Sequence, residues 1–282
     1  MNNNYTLYKL NAFGVTSTGG NPAGVVLKAD HLTHIQKQEI AKQAGLSETA
    51  FVSRSEVADF KLEFFTPNAE VNLCGHATIA TFSLLGQLGL ITNGNFLQET
   101  KAGVLNVNYY DGMVMMEQTQ AVFDQVLVAD EILESLGLNK EDLIPDLPIQ
   151  IVSTGLRDII IPVRNLDVLW GIKPDFEKIK KISNDQVVVG YHVFSLQSVK
   201  NSTAHCRNFA PLYDIDEEAA TGTSNGALAA YLNKYSDFEN QSKTLYFEQG
   251  YCMNRPSEIV VKLEHINDVT RVFVGGKARL VE

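Results

Sequence analysis

Three cysteines in 282 residues, Cys74, Cys206 and Cys252, are too few and too scattered to staple a fold. Their odd number suits reduced thiols in a cytosol. No apolar run approaches the roughly 20 residues a helix needs to cross a bilayer. Residues Met1 to Tyr5 carry neither a basic nor an apolar stretch, so a secretory signal is not expected. Basic charge is scarce as well: 23 Lys and Arg against 33 Asp and Glu leave a net charge of -10. Beyond Lys178, Lys180 and Lys181 no basic cluster stands out, which argues against a nucleic-acid partner. Hydrophobic residues at 45% and charged residues at 20% exclude wholesale disorder. These absences predict an acidic, cytoplasmic protein with no membrane and no nucleic-acid partner. The length is about twice that of a typical domain, so two domains are the starting expectation.

What is present occurs twice. In the first half, the small residues Thr18 to Gly24 lead into the apolar strand Val25 to Leu27. A helix follows, with Thr33 and Gln36 at capping-box positions and Gly45 placed to end it. Strand-like segments Thr49–Val52 and Phe60–Phe65 come next, then Phe65-Thr66-Pro67, then a helix starting near Gly75. In the second half, Ser153-Thr154-Gly155 leads into Ile159–Val163, and Asp175 to Ile182 reads as a charged helix. Strands over Gln186–Leu196 and Ala204–Phe209 follow, then Phe209-Ala210-Pro211, then a helix starting near Gly222. We expect two like domains, 1–117 with a returning strand at about 271–282, and 118–270. The polar stretch Glu117 to Gln120 is the expected linker. The two glycine-started helices are apolar on nearly every side, which predicts burial all round. Periodicity alone fits a sheet wrapped about each helix or an ordinary layered α+β packing.

A helix N-terminus offers unpaired N–H groups and partial positive charge, and a glycine there lets a ligand approach the backbone. Titratable groups stand near both starts: Glu48, His76, and the run Asp214, Asp216, Glu217, Glu218. A carboxylate in an apolar cleft can carry protons near neutral pH. Cys74 and His76 could ligate a metal, but Cys206 and Cys252 have no matching spacing, so no metal is expected. Cys74 is also a candidate nucleophile or a small core residue. Neither a P-loop nor a G-x-G-x-x-G motif is present, which removes the usual phosphate cradles.

Several segments carry a family resemblance. They are Gly20-Asn21-Pro22-Ala23-Gly24-Val25-Val26, Leu46-Ser47-Glu48-Thr49-Ala50-Phe51, Phe65-Thr66-Pro67 with Glu70-Val71, and Leu73-Cys74-Gly75-His76-Ala77-Thr78. Phe209-Ala210-Pro211, Ala220-Thr221-Gly222, and Glu248-Gln249-Gly250 with Arg255-Pro256-Ser257 continue the series in order. The chain resembles the PhzF family of phenazine-biosynthesis-like isomerases, within the diaminopimelate epimerase-like superfamily. The resemblance implies an α+β fold of two similar domains, each a curled, mostly antiparallel sheet around a central helix, with the active site in the cleft between them. It implies a homodimer, a small carboxylate-bearing, cyclic amino-acid-like substrate, and no cofactor.

The same resemblance implies Glu48 as the acid/base group moving a proton, with His76 and Glu218 assisting. Gly75, Gly222 and Thr223 would bind the substrate. The nearest implied reaction is isomerisation of trans-2,3-dihydro-3-hydroxyanthranilate. Two positions depart from the family: Glu218 and Ala219 replace its usual Asp-Pro, and Thr223 replaces its serine. A two-base racemase using Cys74 is an alternative, but Ala220 and Thr221 offer no second thiol. A metabolite-binding protein without catalysis is the other.

Overall fold

The computed structural model describes residues 5–235, 243–267 and 269–281. The chain divides into two units, Met1–Glu117 with Gly275–Glu282, and Gln118–Val274.

In the first unit, β1 (Leu7–Ala12) and β2 (Asn21–Val26) are antiparallel. α1 (His34–Ala44) then carries the chain to β3 (Glu48–Ser53), parallel to β2. β4 (Phe60–Phe65) turns back on β3, and the short β5 (Glu70–Val71) pairs with its end before α2 (Gly75–Gln87) begins. β6 (Gly94–Thr100) joins β4 in parallel, followed by antiparallel β7 (Gly103–Tyr110) and β8 (Met113–Glu117).

The second unit repeats this order. β9 (Val122–Val126), α3 (Asp130–Leu136) and β10 (Gln150–Ser153) lead to β11 (Arg157–Pro162). α4 (Leu166–Gly171) and α5 (Phe176–Gln186) carry the chain to β12 (Gly190–Ser195), which is parallel to β11. β13 (Ala204–Ala210) returns, and the short β14 (Ile215–Glu218) precedes α6 (Gly222–Tyr235). β15 (Lys243–Gln249) joins β13 in parallel, β16 (Ser257–Ile266) pairs back on it, and β17 (Val269–Gly276) follows. Finally β18 (Ala278–Leu280) completes the first unit by pairing antiparallel with β1, Leu10 opposite Leu280.

The repeat explains both central helices. α2 packs against β18, β1, β2, β3, β7 and β8, so the first sheet curls around it. Its residues Ala77 to Leu85 are buried without a break, which is why no polar stripe is visible in the sequence. α6 packs against β10, β11, β12 and β16 and is buried from Ser224 to Leu232. The fold is α+β, built from two similar units of this kind.

Each sheet also has an outer core. Under α1 it holds Ile40 and Ala41 against Val26, Phe51 and Phe65. Under α3, α4 and α5 it holds Leu133, Leu169 and Ile179 against Ile159, Tyr191 and Phe209. α1 is closed by the capping box of Thr33 and Gln36 and by Gly45 at φ 61, as its sequence predicts. One local expectation needs correction: β2 begins at Asn21, not after Gly24. Pro22 precedes the pairing with β3, so its missing N–H costs no ladder bond there, and a Cβ on Gly24 would lie 2.7 Å from Thr49 Oγ1. The segment reads as a turn because it is a strand that packs too closely for side chains. Gln186 likewise ends α5, and β12 starts only at Gly190.

Candidate active site

In the first unit, the start of β3 and the start of α2 place three chemical groups together. Glu48 is the first residue of β3, and Cys74 is the N-cap of α2, followed by Gly75 and His76. Glu48 Oε2 lies 3.1 Å from His76 Nε2, with the side chains 21% and 11% exposed. The ion pair is close, yet Oε2 is buried without a directed hydrogen bond. Nε2 instead meets Ser47 Oγ at 3.2 Å. Ser47 gives its own proton to the carbonyl of Pro22 at 3.2 Å, so Nε2 must be the donor in that contact. On the other edge of the ring, Nδ1 faces Cys74 Sγ at 3.4 Å.

This arrangement sets the charges. Burial pushes the Glu48 carboxyl up, but His76, with smaller help from Ser47 and Cys74, outweighs it and holds the group below its ordinary value. Burial pushes His76 down, and its neighbours Cys74 and Glu48 overcome that and raise it well above the usual imidazole range. Burial raises the Cys74 thiol, so it is not an activated thiolate. At neutral pH the pair is therefore an imidazolium beside a carboxylate. Glu48, Cys74 and His76 each offer a ligand atom within 4.8 Å of the others, a donor set that suits a soft divalent cation. The third member comes from a distant strand, which linear spacing could not show. Gly75 leaves the helix start open, with nothing within 4 Å of the place a Cβ would occupy.

In the second unit, Glu218 ends β14 and Gly222 begins α6, with Thr223 in its first turn. Thr221 Oγ1 donates to Glu218 Oε2 at 2.5 Å. The carbonyl of Thr223 accepts from Thr154 Oγ1 at 3.2 Å, which ties the first turn of α6 to the end of β10. The rest of the acidic run does other work. Glu217 forms a two-pronged pair with Arg207 at 2.9 and 2.8 Å, while Asp214 and Asp216 are exposed.

Sequence reasoning missed a buried polar layer beneath α6. Asp158, His192 and Asn208 lie on the strands, and Ser224 and Asn225 on the helix, none more than 2% exposed. Ser224 Oγ donates to Asp158 Oδ2 at 2.7 Å and accepts from Asn208 Nδ2 at 3.2 Å. Burial pushes the Asp158 carboxyl up to about 7, with Ser224 opposing and Glu218 adding to the rise. Burial drives His192 down to about 4, so it is neutral. Gln249 was visible only as part of a motif; it proves to be fully buried against Thr221 and Asn225.

Comparison with known proteins gives these residues a context. The sequence profile of the phenazine biosynthesis-like protein family matches residues 10–282. An uncharacterized isomerase of Bacillus subtilis is 34% identical over 96% of this chain and 94% of its own. The trans-2,3-dihydro-3-hydroxyanthranilate isomerase of Pseudomonas fluorescens is 28% identical over 97% of this chain and 95% of its own. The crystal structure of a Bacillus anthracis phenazine biosynthesis protein of the PhzF family superposes with a TM-score of 0.91 at 32% identity, covering 98% and 96% of the two chains.

Proposed function

The chain belongs to the phenazine biosynthesis-like family and is a PhzF-type isomerase, and we propose that it moves a proton on a small, carboxylate-bearing, cyclic amino-acid-like substrate with Glu48 as the base. The observation that carries this reading is the state of Glu48: held ionised beside His76, whose Nε2 lies 3.1 Å from Oε2. A carboxylate held ionised in this way can accept a proton from a substrate carbon. The substrate's C–H bond breaks, its electron pair passes into the conjugated system, and the same carboxyl returns the proton to another carbon of the ring.

His76 keeps Glu48 charged before the transfer and stabilises the rearranged anion after it. The N–H groups at the start of α6, with Thr223, hold the substrate carboxylate. Glu218 orients an N–H or O–H donor of the substrate. The reaction named for the Pseudomonas fluorescens relative is of this type, which makes its substrate the first to try.

The experiment is NMR in D₂O with trans-2,3-dihydro-3-hydroxyanthranilate and a panel of small unsaturated amino acids, comparing wild type with Glu48→Gln. Deuterium entering carbon in the wild type and not in the variant is the expected result. Exchange that survives in Glu48→Gln removes Glu48 as the base. Saturable binding without exchange of any compound favours a binding protein. The alternative base is Cys74, whose sulfur lies 3.4 Å from His76; the rise of its thiol on burial works against it.

A further inference from the structure

Gln249, the last residue of β15, is fully buried, and two backbone groups fix which way its amide points. Its Oε1 accepts from the backbone N–H of Thr221 at 3.1 Å and from Asn225 Nδ2 at 2.9 Å. Its Nε2 donates to the backbone carbonyl of Glu218 at 2.8 Å and to Thr221 Oγ1 at 3.0 Å. A peptide N–H can only donate and a peptide carbonyl can only accept, so the amide cannot be reversed. Thr221 Oγ1 thus receives a proton from Gln249 and has its own proton to give, and it gives it to Glu218 Oε2.

We propose that Gln249 and Thr221 are positioning residues forming a one-way hydrogen-bond relay that holds Glu218 ionised and aimed, so that Glu218 serves the reaction as an acceptor and not as its acid. This deepens the proposed function and rests on its reading that Glu218 meets the substrate. A hydrogen bond to the charged form of a carboxyl favours that form, and a donor already polarised by a second donor does so more strongly.

The relay works against a real opponent. Asp158 on β11 faces Glu218 closely enough for the two carboxyls to repel. Glu217, adjacent in sequence, is already engaged by Arg207. The cross-strand partner Asn208 is neutral and turned toward His192 and Ser224. Asp158 takes up its own proton at about 7, so this repulsion acts on Glu218 above that pH, where the relay opposes it.

The test needs no substrate. Protein labelled with ¹³C at glutamate carboxyls is titrated by NMR, and the Glu218 signal is identified by its loss in Glu218→Gln. Thr221→Val removes the donor while keeping the shape, and a rise of about one pKa unit at Glu218 is expected. Thr221→Ser restores the wild-type value. Gln249→Met gives a smaller rise, because Thr221 keeps its hydroxyl but loses the group that fixes its direction. An unchanged Glu218 titration in Thr221→Val overturns the proposal, and so does a rise in Thr221→Ser equal to that in Thr221→Val. Should Thr221→Val fail to give the wild-type circular dichroism, Thr221→Ala serves the same comparison. Glu218→Gln in the deuterium-exchange assay separates the two ideas. Full exchange in that variant removes Glu218 from the reaction while leaving the relay to stand or fall on the titration.

Discussion

His76 touches Glu48 with one ring nitrogen and Cys74 with the other, so a single imidazole couples the first strand residue of β3 to the N-cap of α2. The pairing makes the charge on each partner depend on the other. It also fixes the order of acidity: Glu48 loses its proton below the ordinary 4.5, and His76 loses its own well above the ordinary 6.5.

A pH profile reads this coupling. Activity that needs Glu48 ionised and His76 charged rises through an acid limb below 4.5 and falls through an alkaline limb above 6.5. In His76→Asn the alkaline limb disappears and the acid limb moves upward, because burial of Glu48 is no longer opposed by its largest partner. An acid limb that stays in place would separate His76 from the ionisation of Glu48. The folded state follows the same signs. The lowered carboxyl stabilises above 4.5 and loses that contribution as pH drops through its folded value; the raised imidazole stabilises below 6.5 and loses its share as pH climbs through its own.

Cys74 distinguishes the two candidate bases. Cys74→Ser keeps a small group against Nδ1, and with Glu48 as the base the exchange rate falls by no more than about tenfold. A loss on the order of 10³-fold or more, with Glu48→Gln mild, would assign the proton transfer to sulfur instead. Rates of deuterium incorporation for the two variants decide it.

Asp158 links stability to pH in the direction opposite to an ordinary salt-bridged aspartate. Its folded value of about 7 lies above the ordinary 3.8, so the folded chain holds a proton that the unfolded chain has released across that interval. Stability from this group therefore falls as pH climbs from 3.8 to 7 and levels off beyond. Asp158→Asn, which cannot ionise, is expected to remove up to about 4 kcal/mol of that loss. Urea unfolding of both proteins at pH 5 and pH 8 measures the difference, and parallel behaviour of the two would show that Asp158 is ionised throughout.

Gly190 tests the packing of the second unit. A Cβ built there would lie 1.9 Å from the carbonyl oxygen of Phe209, a backbone atom that has no rotamer to escape into. Gly190→Ala is expected to cost about 3 kcal/mol or more, seen as a lower denaturant midpoint. Gly75→Ala, which meets nothing within 4 Å, should leave that midpoint nearly unchanged and instead weaken ligand binding.

The parts legible in the sequence were those written in short range. The α1 caps stand three residues apart, and the uninterrupted apolar character of α2 announces its burial. The doubled order of segments was readable because each unit repeats the same sequence of strand, helix and Phe-x-Pro turn. Glu48 and His76 could be named in advance, but not their contact, since the two are 28 positions apart and meet only when β3 and α2 pack. The asparagine, serine and aspartate layer under α6 gave no signal at all. Its members come from β11, β12, β13 and α6, and each looks alone like an ordinary polar residue in an apolar run. Gln249 was hidden for the same reason, because a relay is defined by the direction of its protons and not by its spacing.

The pairing of Leu10 with Leu280 joins residues about 270 positions apart. During synthesis, β1 has one edge bonded to β2 and the other bare until residues 278–280 have been made. Closing a loop of that length is slow, and an unpaired strand edge invites pairing with other chains. The second unit lies within that loop, so its strands can all be made before β18 arrives to seal the first. The unit begun before the other is thus completed after it, and removing residues 278–280 should harm the sheet that holds β1 while sparing the sheet made just before them.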